Sequence, residues 1–208
     1  MIVNHKLNNR SFPLRLMSLC TVLFYAIVAV GQPRQIQILN TDSLNFDRSR
    51  GEDLKLLYGN VIFKHDSTLM YCDSAHFYSG SNIFDAYSRV HIVQGDSINV
   101  WGDSLNYNGN TELAKLRGSV KMTDKSTVLT TQFFDYDIKS QVGIYFNKGK
   151  IVDSVNTLTS NIGKYFASSE EFFFRKDVIL HNPDYDIMSD TMKYTTKDAK
   201  AHFFGPTH

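Results

Sequence analysis

The sequence predicts an all-β protein built from stacked repeats of about 29 residues, each read as strand, turn, strand, turn, strand. Three observations carry this reading: aromatics recur at near-constant steps, apolar and polar residues alternate with period two, and turn-forming clusters separate the alternating runs. Composition agrees. The 208 residues include 15 Phe and 11 Tyr but only 4 Pro, and aromatics favour the pleated, half-buried surface of a strand. No helix of ten residues or more is read after residue 31.

The first element is an address. Lys6, Arg10 and Arg15 form a basic start, Leu16 to Val30 carries no charge, and Ala29-Val30-Gly31 supplies small residues before Gln32. That order is the n-, h- and c-region of a secretory signal peptide. The apolar run is shorter than the roughly 20 residues that span a bilayer. The expected organisation is a signal peptide over 1–31 and a repeat domain over 32–208. Removing the signal takes three bases and no acid, so the formal charge falls from +1 to −2. One thiol, Cys72, remains, which excludes an internal disulfide and fits a small buried residue.

The repeat shows in the polar-to-aromatic spacing of Asp103-Ser104-Leu105-Asn106-Tyr107. The same four-residue step joins Asp42 to Phe46, Asp73 to Phe77, Gln132 to Tyr136, Asn161 to Tyr165 and Asp190 to Tyr194. Successive polar anchors lie 31, 30, 29, 29 and 29 residues apart. A second series runs through Gly59-Asn60-Val61-Ile62-Phe63, Val90-His91-Ile92, Gly118-Ser119-Val120-Lys121-Met122 and Val178-Ile179-Leu180, with a weaker copy at Gly149-Lys150-Ile151. A third lies between them at Asp85-Ala86, Leu113-Ala114, Val142-Gly143 and Ala199-Lys200-Ala201. Alternation within the second series gives each strand a drier face of Val61, Phe63, Val90, Ile92, Val120, Met122, Val178 and Leu180.

Turn clusters punctuate the series at 64–67, 79–82, Asn108-Gly109-Asn110 and Asn182-Pro183-Asp184. One repeat is too small to bury its own face, so stacking must build a shared core. The last copy, from Ala199, stops without a polar cap, which predicts that a partner covers that edge or that the protein continues.

Several chemistries do not fit the sequence. Net charge gives no basic excess for a nucleic-acid partner. No Gly-rich phosphate loop is present, and the histidines do not fall at metal-ligand spacing, so no cofactor or metal is expected. Gly102-Asp103-Ser104-Leu105 spells an esterase signature but sits inside a β-repeat, without a downstream Asp-x-x-His. Carboxylates at the anchors do not make a glycosidase pair, because Gln132 and Asn161 stand at equivalent places. Capping backbone N–H groups at a turn or bulge is the expected role of these anchors. Charges flanking Phe172-Phe173-Phe174 read as guards of an apolar strand. The chain is therefore not expected to be an enzyme.

Gly59-Asn60-Val61-Ile62-Phe63, Leu69-Met70-Tyr71-Cys72-Asp73-Ser74-Ala75, Phe77, Gly118-Ser119-Val120, Asp135-Tyr136 and the terminal Ala199 to Thr207 resemble the OstA-like (LptA) family. That family comprises periplasmic lipopolysaccharide-transport proteins and is related to the N-terminal domain of LptD. The resemblance covers roughly residues 36 to 208.

It implies an open β-jellyroll, or β-taco, of two facing sheets whose hydrophobic groove holds the acyl chains of lipopolysaccharide or another acylated lipid. It implies partners of the same kind stacked edge strand to edge strand, as homo- or hetero-oligomers, in the periplasm, free or associated with the inner or outer membrane. The drier-face residues would then line the groove. The column of Phe77, Tyr107, Tyr136, Tyr165 and Tyr194 either joins that lining or covers the outside. The sequence departs from the family in its longer, more aromatic repeats and in the fourth repeat, where Gly163 replaces the Leu105 or Phe134 of other copies. The competing function is an exported structural or adhesive β-solenoid at the cell surface.

Overall fold

The computed structural model describes residues 34–47, 49 and 53–208. The signal-peptide reading over 1–31 lies outside the described residues.

The strands are β1 (Gln37–Asn40), β2 (Ser43–Phe46), β3 (Leu54–His65), β4 (Thr68–Tyr78), β5 (Ile83–Gln94), β6 (Ile98–Asn108) and β7 (Leu113–Asp124). They continue with β8 (Thr127–Asp137), β9 (Val142–Val152), β10 (Thr157–Phe166), β11 (Glu171–Asn182), β12 (Tyr185–Thr195) and β13 (Lys200–Thr207). All join one open antiparallel sheet in chain order from β3 to β13. Both β1 and β2 pair with β3, the first along its second half and the second along its first half. Together they act as one edge strand broken at Thr41-Asp42.

The repeat is real, but its unit has two strands rather than three. Each long strand is interrupted midway by a bulge, so one strand reads as two in the sequence. In β5, Ala86 and Val90 both face inward, with Tyr87, Ser88 and Arg89 turned outward between them. In β6 only Asp103 and Ser104 separate inward Gly102 from inward Leu105. The odd strands thus carry an extra residue at each crossing, the signature of a β-bulge, which bends the strand. The bulge residues are left-handed in pairs: Gly59-Asn60, Ser88-Arg89, Gly118-Ser119, Asn147-Lys148 and Lys176-Asp177. Other copies carry Ser88, Asn147 and Lys176 at this place, whereas at Gly118, where φ is +73°, a Cβ would lie 2.4 Å from the Asp103 carboxylate and would force it to move.

These bulges lie in register from strand to strand and form a continuous corner. The corner folds the sheet in half. Phe63 of β3 lies in register with Ile92 of β5 through Met70. Ile92 and Phe84 are eight residues apart on β5, roughly 26 Å along a straight strand at ~3.3 Å per residue. Yet the Phe63 and Phe84 rings stack with centroids 4.1 Å apart. The two halves of each strand therefore face one another and share one apolar core, an open β-jellyroll.

Candidate functional site

The interior between the two halves is where sequence and structure converge. All eight drier-face residues point into it from the second halves of β3, β5, β7 and β11. Val61, Phe63, Ile92 and Met122 are fully buried, and Val90, Val120, Val178 and Leu180 are at most 2% exposed. The aromatic column comes in from the opposite half: Phe77, Tyr107, Tyr136, Tyr165 and Tyr194 are all buried. The column therefore joins the interior rather than the outside. Phe46 breaks the series and is 62% exposed, because β2 is a short edge strand. Phe172 and Phe174 are buried while Phe173 is exposed, the alternation of a core strand.

Sequence reading missed the inner residues of the even strands. Met70, Val100, Leu129 and Leu158 complete the same row as Phe63, Ile92, Met122 and Leu180. Their signal was present as alternation after each turn. The interior is packed rather than hollow. A surface cavity of about 860 Å³ lies outside it along the corner over β7–β11 and is lined by Lys121, Lys148, Lys150, Ile179 and polar residues.

The polar anchors sit at the corner, opposite the bulges. Gln132 Oε1 accepts the Ser119 backbone N–H at 3.4 Å, as expected of a cap. Other anchors act through side chains instead. Asp42 accepts from Asn60 Nδ2 at 2.9 Å, Asp73 pairs with Arg89, and Asn161 Nδ2 donates to Asp177 at 2.6 Å. The Arg89 guanidinium holds the Asp73 carboxyl below its ordinary range. Ser104 has Tyr87 and Arg117 as register neighbours, and neither is a base that could activate it. Among the described residues no three His, Cys, Asp or Glu side chains group as a metal site.

Opposite the corner, the two halves meet along a polar seam. Tyr107 Oη donates to His65 Nδ1 at 2.7 Å, while His65 Nε2–H donates to the Arg34 carbonyl at 2.8 Å. A carbonyl can only accept, which fixes this tautomer of the neutral imidazole. Tyr136 donates to Gln94 Oε1 at 2.5 Å, and Tyr165 to Asp124 Oδ2 at 2.6 Å. Tyr194 donates to Asp153 and accepts from Asn156 Nδ2. The four pairs are separated by 42, 42, 41 and 41 residues. Burial raises the pKa of all four tyrosines, so they stay protonated donors at neutral pH.

Cys72 lines the same interior at 5% exposure, and burial pushes its thiol up to about 12. A thiol reagent should leave it unmodified in the native protein from pH 7 to 9 and label it fully in denaturant. Native labelling that rises through pH 8.5, as for a free thiol, would contradict its placement.

A family model described as OstA-like protein matches residues 33–190. No curated protein matches the chain. Among the solved structures that match is the crystal structure of LptH, the LptA homologous periplasmic component of the conserved lipopolysaccharide transport device from Pseudomonas aeruginosa. It is 16% identical, with a TM-score of 0.48, over 52% of this chain and 82% of that one.

Proposed function

The chain belongs to the OstA-like protein family, and from that premise we propose that it is a non-enzymatic, periplasmic lipid-carrying module. Its interior takes the acyl chains of lipopolysaccharide or another acylated lipid on the way to the outer membrane. The observation that carries the reading is the interior itself: one continuous apolar row from Phe63 to Leu180, enclosed between two half-sheets that are joined covalently along the corner alone. Burying acyl surface there is worth about 25 cal/mol per Å², and the step needs no bond chemistry.

The transfer is passive. A path lined by side chains supplies no direction, so any push along it comes from other components. Like proteins stack on the sheet's outer strands, where β13 offers an edge with no partner beyond β12 among the described residues.

Mass spectrometry of lipid co-purified with the protein from an exporting Gram-negative host tests this reading. Lipid A species in stoichiometric amount are expected. A lipid-free preparation that binds carbohydrate would overturn it in favour of an exported structural or adhesive β-solenoid.

A further inference from the structure

We infer that the interior is loaded sideways, by parting of the tyrosine seam, and not through a standing lumen between the ends of the sheet. This rests on the reading that the interior carries acyl chains. The packing leaves no lumen to thread: Phe63, Ile92, Met122 and Leu129 are fully buried against their neighbours. To admit an acyl chain, the two half-sheets must separate. They cannot do so across the sheet, where every strand from β3 to β12 is hydrogen-bonded on both sides. They are covalently continuous at the corner, which leaves it the role of hinge. The line opposite the hinge holds the two halves together by side-chain hydrogen bonds.

That line is built as a row of separate fasteners. Each rung joins a tyrosine near the end of an even strand to a polar residue at or just past the end of an odd strand. The rungs repeat with the sheet, because their sequence separation stays at 41 or 42. Tyrosine suits such a rung because its ring belongs to the apolar interior while its hydroxyl reaches the rim. The rungs are also thin. Asp124 receives Tyr165 on one oxygen while the other is buried without a partner.

At the β3 end a short strap crosses the seam. The Arg34 carbonyl accepts from both His65 and Asn82, the Ile36 N–H donates to Asn82 Oδ1 at 2.9 Å, and the Ile36 side chain is buried beside Gly109. Strap and rungs close the mouth from β3 to β12. A lipid entering at one rung can pass to the next as the seam closes behind it.

The test compares entry of a lysophospholipid with a pyrene-labelled acyl chain into three forms of the full-length chain. One is unaltered. One carries Tyr107→Phe, Tyr136→Phe, Tyr165→Phe and Tyr194→Phe together, which keeps the rings and removes the rungs. The third carries Gln94→Cys with Tyr136→Cys and Asp124→Cys with Tyr165→Cys, read before and after bridging by a short bismaleimide. The melting temperature of each form is measured first, and Tyr136→Phe alone replaces the quadruple variant if that does not fold. Uptake at least fivefold faster without the hydroxyls, and at least tenfold slower once bridged than before bridging, is expected. Equal uptake in the bridged and unbridged forms would overturn sideways loading while leaving lipid carriage intact. Uptake by none of the forms would overturn lipid carriage, and sideways loading with it.

Discussion

Gly163→Leu is expected to destabilise the protein by about 3 kcal/mol, at the upper end for overpacking a well-filled core. The position looks vacant in sequence, since equivalent strands carry Leu105 or Phe134. In the fold it is full. A Cβ on Gly163 would lie 2.1 Å from Tyr145 Cε1, and one on Gly149 would lie 2.4 Å from the same ring. Tyr145 is 1% exposed, and its hydroxyl meets Ser160 Oγ at 2.6 Å. Its ring fills the volume that a neighbouring strand supplies in other repeats. Because Tyr145 and Gly163 are direct register partners, the second substitution Tyr145→Leu recreates the Leu105–Leu116 pairing found between β6 and β7. The double variant should recover at least half of the loss, a coupling of about 1.5 kcal/mol or more. Urea unfolding midpoints at constant m-value measure it. Additive losses would mean that the two residues do not share one volume.

Phe63→Ala is expected to cost about 3–5 kcal/mol, the range for removing a buried phenyl ring. Phe63 stacks on Phe84 and meets Phe77 edge-on at 5.8 Å, so it ties the second half of β3 to the half-sheet that faces it. Its removal loses a contact across the fold as well as buried area. Lys64→Ala, one residue away on the exposed face, should stay within about 0.5 kcal/mol. Equal midpoints for the two variants would show that the half-sheets do not pack through this ring.

The energies bear on lipid entry. A twelve-carbon acyl chain gains on the order of 10 kcal/mol on leaving water, at ~0.8 kcal/mol per CH₂. Four seam rungs at ~1 kcal/mol each sum to roughly 4 kcal/mol. Inner side chains that separate exchange contact with each other for contact with the lipid, so that change largely cancels. On these magnitudes the closed seam retards loading without forbidding it.

Most of the interior was legible in the sequence because alternation and period reinforce one another. Val61 and Phe63, Val90 and Ile92, Val120 and Met122 each fall on one face of a strand, and repetition singles that face out. The number of strands per unit was not legible. Bulges such as Ser88-Arg89 put three consecutive residues outside, and a break in alternation looks like a break between strands. The corner role of the anchors was only partly legible: capping holds for Gln132, whereas Asp73 and Asn161 bind side chains. The seam was hidden for another reason. Its bonds join residues 41 or 42 apart, which no local pattern reports. A trace was nonetheless present, since His65, Gln94, Asp124 and Asp153 follow one another at steps of 29, 30 and 29, in phase with the tyrosines.

Acyl chains inside the fold and acyl chains on its surface are told apart by adjacent positions on β7, within one strand. Met122 is fully buried and Lys121 is exposed on the opposite face. A photo-crosslinking amino acid is placed at one or the other in the exporting host and irradiated during lipid transport. Lipid adducts at position 122 and few or none at 121 are the expected result. Adducts at 121 alone, or none at 122 in a protein that remains folded and exported, would show that the acyl chains do not enter the interior.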